Sequence, residues 1–573
     1  MKIVIVGGVA GGATAAARLR RLDEKAEIIM IERSGFISYA NCGLPYYISG
    51  VIKEEKALTL QTPESFWRRF RIDARVKQEV LSIDPVGKTV QIKKLEDGTV
   101  YTENYDKLIL SPGAKAIKPN LPGIESKRIV TLRTVEDTLK IRKFIESYHP
   151  QKAIVVGGGF IGLEAAENLM EAGIDTTLLQ RDDQVLPPLD FDMASEVHAY
   201  LRGKGLDLRL NTLVTGFVDT KTEEDSNGKI IVQTEKQPQG IQSDLVVMAI
   251  GVTPETKLAK DAGLDLARNG AIRVNENMET SAADIYAVGD AVEVKHFVTG
   301  QKTWIALAGP ANKQGRIVAD RICGKDSSFS GSQGSSIIKL FDMTAASTGV
   351  NEKMAKNLGL SYDKVVTYSA SHATYYPGAT NMTIKTIFEP ETGKILGAQI
   401  VGFEGVDKRL DVMATAIHAG MTAADLEELD LAYAPPYSSA KDPVNMAGFV
   451  IENVRSGVVK QYHWHDVESL QKEGNGVFLD VRTDQEFALA NITGAIHIPL
   501  DELRDHIGEL DLSKPLYVNC HSGLRSYIAC RILSENGFTC YNLSGGYRFY
   551  DYVLKEKKYD EVPEHPCGVK IEE

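Results

Sequence analysis

The sequence predicts an α/β chain of several domains, and three observations carry that reading. A β-branched run, Ile3-Val4-Ile5-Val6, leads into Gly7-Gly8-Val9-Ala10-Gly11-Gly12 and an alanine-rich helical stretch over 13–22. The same order of strand, glycine turn and helix recurs at 153–156, Gly157-Gly158-Gly159-Phe160-Ile161-Gly162 and 163–172. Near the end of the chain, an apolar strand over 516–518 opens into Cys520-His521-Ser522-Gly523-Leu524-Arg525 and another helix. With 573 residues, the chain exceeds what one core accommodates, so three or four domains are expected.

Composition sets outer limits on function. Hydrophobic residues at 43% and charged residues at 25% are ordinary globular values, and a net charge of -12 leaves no basic excess for general binding to nucleic acid or anionic membranes. Six cysteines in so long a chain do not make a secreted disulfide framework, and reduced thiols in the cytoplasm are expected. Residues 1–6 run straight into a strand, which leaves no room for a signal peptide. No run of about 18 apolar residues marks a membrane span.

In the first glycine turn, helix N-terminal amides are placed to hold a pyrophosphate, although Val9 replaces the middle glycine of the usual fingerprint. A second strand, 27–31, ends at Glu32, at the right spacing to accept hydrogen bonds from an adenosine ribose. Then comes Ser38-Tyr39-Ala40-Asn41-Cys42-Gly43-Leu44-Pro45-Tyr46. Cys42 is the candidate redox nucleophile. An internal dithiol would need a partner commonly five residues on, but that position is Tyr47 and the next cysteine is Cys323, so oxidised Cys42 must pair with an external group. The alternative, a small buried apolar thiol, is the usual fate of a lone cysteine; the two flanking fingerprints favour the nucleophile.

The second unit carries a complete G-x-G-x-x-G. Its next strand, 176–179, ends in Gln180-Arg181, where an NAD site usually has an acid. A missing carboxylate and an arginine suit a 2'-phosphate, which favours NADPH; a surface arginine beside Asp182 and Asp183 is the competing reading, and both stay open.

Residues 105–113, Tyr-Asp-Lys-Leu-Ile-Leu-Ser-Pro-Gly, and 280–290, Thr-Ser-Ala-Ala-Asp-Ile-Tyr-Ala-Val-Gly-Asp, together with the first glycine turn, resemble the FAD signature of flavoprotein reductases with two dinucleotide-binding domains. The resemblance implies an FAD site made of Gly7, Gly8, Ala10, Gly11, Gly12, Glu32, Arg33, Asn41, Val80, Ser111, Gly113, Gly289 and Asp290, the last at the ribityl and pyrophosphate region. It implies an NADPH or NADH site made of Gly157, Gly159, Phe160, Ile161, Gly162, Gln180, Arg181 and Gly251, with Glu164 near both nicotinamide and flavin. The expected organisation is an FAD domain over 1–115 and 246–325, an NAD(P)H domain over 116–245, an α+β dimerisation domain over 326–452 and, after a polar linker at 452–462, a last α/β domain over 463–573.

Two aromatic clusters, His372-Ala373-Thr374-Tyr375-Tyr376-Pro377-Gly378 and Tyr433-Ala434-Pro435-Pro436-Tyr437 followed by Lys441, read by themselves as packing residues. With 38–42 they resemble coenzyme A-disulfide reductases over residues 1 to about 452. That resemblance implies that Tyr375 and Tyr433 reach the active cysteine of the other subunit of a homodimer. It also implies that Thr14, Arg18, Arg21, Ser38, Asn41, Asn312 and Lys441 line a coenzyme A site. Thr14, Arg18 and Arg21 have the i, i+4, i+7 spacing of one helix face, and arginine suits phosphate.

The last domain carries Val477-Phe478-Leu479-Asp480-Val481-Arg482, Glu486-Phe487, Gly494-Ala495-Ile496-His497-Ile498-Pro499 and the Cys520 loop, and resembles a single rhodanese domain. A cysteine at a helix N-terminus, ringed by amides and closed by Arg525, favours a thiolate and an anionic persulfide. Cys530 and Cys540 are expected to be packing residues and Cys567 an exposed thiol; no metal site is expected. The expectation is therefore an FAD-dependent NAD(P)H reductase of coenzyme A disulfide, persulfide and polysulfide. Catalysis is assigned to Cys42, Cys520, Tyr375, Tyr433 and Arg525. Two alternatives are an NADH oxidase or peroxidase cycling through a sulfenic acid, and a flavin-bearing redox sensor whose rhodanese domain binds a partner.

Overall fold

Ile3, Val4 and Ile5 are fully buried because the strand Lys2–Val6 is the middle of a five-stranded parallel sheet, covered on both faces as such sheets must be. The order is Ile285–Ala287, Lys107–Leu110, Lys2–Val6, Glu27–Ile31, Asp73–Arg75. A second parallel sheet repeats the plan around Lys152–Val156: Asp207–Arg209, Asp175–Leu179, Lys152–Val156, Leu245–Met248, Ile129–Thr131. Each is accompanied by a three-stranded antiparallel sheet, Gln78–Asp84 to Val100–Asn104 in the first and Val214–Asp219 to Ile241–Ser243 in the second. This computed structural model describes residues 1–220 and 228–559; Cys567 lies outside the described residues.

The close approach of strand and turn demands glycine at equivalent places. Gly7 has φ +99° and Gly157 φ +111°; a Cβ there would lie 2.0 Å from the Ser111 carbonyl oxygen and 2.4 Å from that of Ala249, respectively. The chain leaves the first sheet through Ala114–Ala116 and returns through Val252–Pro254, two strands paired antiparallel. The return therefore comes later than the expected division at 245/246, because Leu245–Met248 pairs with Lys152–Val156. A four-residue buried apolar run fits either sheet, and only its pairing decides.

The described residues form two units, Met1–Val185 with Leu206–Gly334, and Leu186–Gly205 with the chain from Ser335 onward. The second unit contains a five-stranded antiparallel sheet in the order Ser336–Leu340, Met343–Gly349, Ile395–Gly402, Asn381–Phe388, Asp363–Ala370. It also contains a parallel sheet in the order Lys460–Tyr462, Cys540–Leu543, Leu516–Asn519, Val477–Asp480, Ile496–His497. The polar segment 452–462 is not a free linker: the helix Pro443–Arg455 runs into it and Lys460–Tyr462 is an edge strand of the last sheet. Its polarity reflects a solvent-facing helix end and sheet edge.

Both sheets of the second unit are joined by specific contacts. The Val366 amide donates to Ser544 Oγ at 3.1 Å, Gln461 Nε2 donates to the Lys364 carbonyl at 2.8 Å, and Arg548 lies 4.1 Å from the Tyr368 ring centroid. Beneath them the fully buried Lys385 Nζ sits 3.0, 2.8 and 2.5 Å from Asp190, Asp192 and Glu352, and Trp464 Nε1 donates to Asp192 at 3.1 Å. The three carboxylates thus hold the Lys385 ammonium, with Lys364 Nζ a second buried cation 2.6 Å from Glu352, and such an ion cluster is tolerable only because each carboxylate has a cationic partner. Among the described residues no helix is long and apolar enough to cross a membrane.

Candidate active site: two dinucleotide clefts and two sulfur loops

The helices that follow the two glycine turns, Ala10–Leu22 and Phe160–Glu171, have no side-chain N-cap, in contrast to Pro63–Phe70 and Val135–Tyr148, which are capped by Thr62 and Thr134. Their first-turn amides are left for a ligand, and the helix dipole favours an anionic one. Glu32 Oε2 accepts the Gly8 amide at 2.8 Å. In the second dinucleotide sheet Gln180 Oε1 accepts the Gly158 amide at 2.9 Å, so glutamine takes the glutamate's place without its charge.

A cleft of about 300 Å³ gathers Gly7, Ala10, Gly11, Glu32, Arg33, Asn41, Ser111, Gly113, Gly289 and Asp290, and an adjoining one of about 290 Å³ adds Val80. Gly12 instead seats the helix, since a Cβ there would lie 2.0 Å from the Gly7 oxygen. The buried Asn41 Oδ1 has no hydrogen-bond partner among the described residues. Uncapped amides, an orphaned acceptor and an elongated cleft fit a flavin dinucleotide. Sequence reasoning missed Arg133, which lines the same cleft and pairs with Asp290 at 2.6 Å; its only sequence signal is its place after the strand Ile129–Thr131. It also missed Glu255, which holds Arg33 through two hydrogen bonds.

After the second glycine turn Phe160 and Ile161 open the helix, Gly162 packs it against Gly157, and space is open above Gly159. Gly251, at φ +117°, follows the Ala249–Ile250 backbone that lies against Gly157. Arg181 is 71% exposed and pairs with Asp182 at 3.1 Å, which is the geometry of the surface reading.

Cys42 lies in the short 3₁₀ turn Asn41–Gly43, immediately before the helix Leu44–Ser49. That helix is fixed to Phe160–Glu171 by Ser49 Oγ, which donates to Asn168 Oδ1 at 2.6 Å. The residue is exposed, yet partial withdrawal of its sulfur from water, together with the Glu164 carboxylate, pushes the thiol up, against an opposing pull from Arg133. Burial, reinforced by Glu167, raises Glu164 to about 7, and burial followed by the Glu164 charge raises Tyr46 to about 12.

The candidate coenzyme A residues are partly tied to the protein itself. Thr14 Oγ1 donates to Asn312 Oδ1 at 2.5 Å, which brings two of them together, but Arg18 is held by Asp320 at 2.7 Å. Arg21 is exposed, and so is Lys441 beside the helix Pro443–Arg455. Ser38 adopts φ +46°, with its amide bonded to the Gly8 carbonyl. In the second unit, Tyr375 and Tyr433 join hydroxyl to hydroxyl at 2.7 Å while 73% and 47% exposed.

Cys520 is fully buried at the end of the strand Leu516–Asn519. Its Sγ accepts the Gly523 amide at 3.1 Å and contacts Ser526 Oγ at 3.2 Å. The amides of Tyr547 and Arg548, at the start of the helix Gly546–Lys557, donate to the Cys520 and His521 carbonyls and fix the loop from below. Arg525 does not close on the sulfur. Its guanidinium forms a bidentate pair with Glu486, 2.7 Å at each contact, which lowers that carboxyl to about 2. Cys530 and Cys540 are buried, with Cys540 Sγ donating to the Cys530 carbonyl.

Three families match along the chain: pyridine nucleotide-disulphide oxidoreductase over residues 1–315, its dimerisation domain over 335–443, and the rhodanese-like domain over 463–550. The coenzyme A disulfide reductase of Staphylococcus aureus (strain bovine RF122 / ET3-1) is 37% identical over 449 residues, 78% of this chain and 99% of that protein. The crystal structure of reduced Bacillus anthracis CoADR-RHD superposes with a TM-score of 0.93 at 49% identity, covering 97% of this chain and 98% of the other. An NAD-dependent persulfide reductase from A. fulgidus gives a TM-score of 0.87 at 40% identity, covering 96% and 100%. Paired glycine turns in twin parallel sheets, a dimerisation sheet and a cysteine loop on a last parallel sheet thus agree with these matches, and the chain belongs to the pyridine nucleotide-disulphide oxidoreductase family of flavoprotein reductases, as a member with a C-terminal rhodanese domain.

Proposed function

We propose that the protein is an NAD(P)H-dependent reductase of coenzyme A disulfide, coenzyme A persulfide and polysulfide, acting as a cytoplasmic homodimer. The observation that carries this is a second sulfur loop: Cys42, with Tyr47 where an internal partner would stand, shares its chain with Cys520 on a rhodanese sheet. FAD, when bound, supplies the two-electron relay from nicotinamide to sulfur. Gly7, Glu32 and Asp290 hold and orient it, and Glu164 borders the nicotinamide side. Cys42 as a thiolate attacks the coenzyme-linked sulfur of a coenzyme A persulfide. A Cys42–coenzyme A disulfide forms, hydrosulfide leaves with the electron pair of the broken S–S bond, and one NAD(P)H is consumed per hydrosulfide released.

Arg21, exposed on the first helix, supplies positive charge for the coenzyme's phosphates. Tyr375 and Tyr433, from the partner subunit, donate hydrogen bonds to the leaving thiolate. The neutral Gln180 removes the repulsion that an acid would exert on a 2'-phosphate, so NADPH is accepted. Cys520 takes sulfane sulfur from a donor and delivers it to coenzyme A, and placing both loops on one chain raises the carrier's effective concentration. The test is mass spectrometry of the purified protein together with a pair of variants. Coenzyme A is expected as a disulfide adduct on Cys42. Cys520→Ser should retain reduction of preformed coenzyme A disulfide but release hydrosulfide slowly from limiting polysulfide. An unchanged hydrosulfide rate would remove the rhodanese loop from the sulfur path.

A further inference from the structure

The contacts around Cys520 contain one hydroxyl with two acceptors. Ser526 Oγ, fully buried, lies 3.2 Å from Cys520 Sγ and 2.6 Å from Asn542 Oδ1. The orientation of the Asn542 amide is set from its other end, because Nδ2 donates to the Gly523 carbonyl at 3.1 Å, which turns Oδ1 toward Ser526. A serine has a single proton to donate. With Asn542 Oδ1 the closer, the proton points there when Sγ carries no charge, and rotation of the hydroxyl brings it to Sγ when the sulfur is a thiolate. The Gly523 amide, in a left-handed turn at φ +98°, already points at Sγ.

We propose that Ser526 is a positioning residue for sulfur transfer at Cys520, a hydroxyl switch that Asn542 holds away from neutral sulfur and releases to the thiolate. This rests on the reading of Cys520 as a sulfur carrier. In loading, the Cys520 thiolate attacks the outer sulfur of a donor R–S–SH; the Cys520–sulfur bond forms and R–S⁻ leaves with the electron pair of the broken bond. In unloading, an acceptor thiolate R′–S⁻ attacks that outer sulfur, R′–S–SH forms, and the electron pair returns to Sγ. Neither step is a net oxidation. In both, Sγ changes between thiolate and neutral inner sulfur, and the hydroxyl follows that charge without giving up its proton.

The experiment uses the full-length flavoprotein and two readouts. One is the pH dependence of Cys520 modification by methyl methanethiosulfonate, a small thiolate-selective probe, followed by mass on the Cys520 peptide. The other is single-turnover unloading of Cys520 persulfide to a thiol. In Ser526→Ala the titration midpoint is expected to rise by about one unit and unloading to slow about tenfold, the size of a lost hydrogen bond to a charged acceptor. Ser526→Thr restores both. Asn542→Ala deprives the hydroxyl of its other acceptor and moves the midpoint down instead. An unchanged midpoint in Ser526→Ala, or a rise in both the Ser526→Ala and Asn542→Ala variants, overturns the switch. If wild-type Cys520 accepts no sulfur from thiosulfate or polysulfide, the carrier reading fails, and the titration midpoints still decide the role of Ser526.

Discussion

Cys42 and Cys520 both sit where a loop enters a helix, yet their surroundings differ in kind. Cys42 is exposed as a residue, and its thiol is pushed up first by partial withdrawal of the sulfur from water and then, at longer range, by Glu164 and Asp290 against the pull of Arg133. Cys520 is enclosed, with its sulfur in direct contact with an amide and a hydroxyl. The first is suited to a reaction partner that arrives from outside and to a charge that cofactors modulate. The second is suited to holding one small sulfur species in a fixed frame. A residue type and a loop position therefore do not fix a thiol's chemistry; the nearest polar atoms do.

The sharpest way to break this contrast is Cys42→Ser. Reduction of coenzyme A disulfide and release of hydrosulfide should both fall by at least about a thousandfold, because the proposed mixed disulfide needs the Cys42 sulfur as its nucleophile. The flavin should remain bound, since its site uses none of the Cys42 sulfur; substantial turnover in that variant would end the assignment.

Next in size is the base on which the second loop rests. Lys385→Met takes the ammonium from buried Asp190 and Asp192 and leaves only Lys364, 2.6 Å from Glu352, as a cation of the cluster; it should destabilise the second unit by about 3–5 kcal/mol, read as a fall in its melting temperature and a loss of Cys520 sulfur transfer. A melting curve like that of wild type would mean that the cluster is dispensable.

For the tyrosines, Tyr375→Phe and Tyr433→Phe should each slow disulfide reduction by about ten- to a hundredfold, with flavin content retained. Cys520 loading should be untouched, which separates the two loops functionally. Equal losses in both half-reactions would contradict the separation.

A smaller effect is expected at Glu164. Its carboxyl titrates at about 7, so above that pH its charge opposes ionisation of Cys42. Glu164→Gln removes the charge, and the midpoint for Cys42 alkylation should move down by up to about one unit. The pH–rate profile should also lose its inflection near neutrality. A midpoint that stays or rises would show that Glu164 does not set the Cys42 environment. Smallest is Arg181→Ala, for which a few-fold rise in KM for NADPH with little change for NADH is expected; equal changes would leave Arg181 a surface partner of Asp182.

Much of the fold was legible locally. Ile3-Val4-Ile5-Val6 before Gly7, and Ala153-Ile154-Val155-Val156 before Gly157, announce buried parallel strands followed by tight turns, because β-branched runs and positive-φ glycines are demanded by nearest-neighbour sterics. The loop placements of Cys42 and Cys520 follow from the same local signals. So does the place of Glu32, which the register of its own strand sets beside Gly8.

What the sequence could not disclose is which distant group each polar side chain meets. Arg18 reads as a free cation on a helix face but lies against Asp320, and Arg525 reads as the lid of the cysteine loop but is held by Glu486. Arg133 was unremarked until the fold brought it to Asp290. Residues 186–205, continuous in sequence with the second dinucleotide domain, belong to the unit of the antiparallel sheet, where Asp190 and Asp192 meet Lys385. Hydrophobic periodicity and turn chemistry are properties of neighbouring residues and survive in the one-dimensional string. Ion pairs and single hydrogen bonds between residues far apart in the chain depend on a few ångströms of placement, and only the packed tertiary structure decides those.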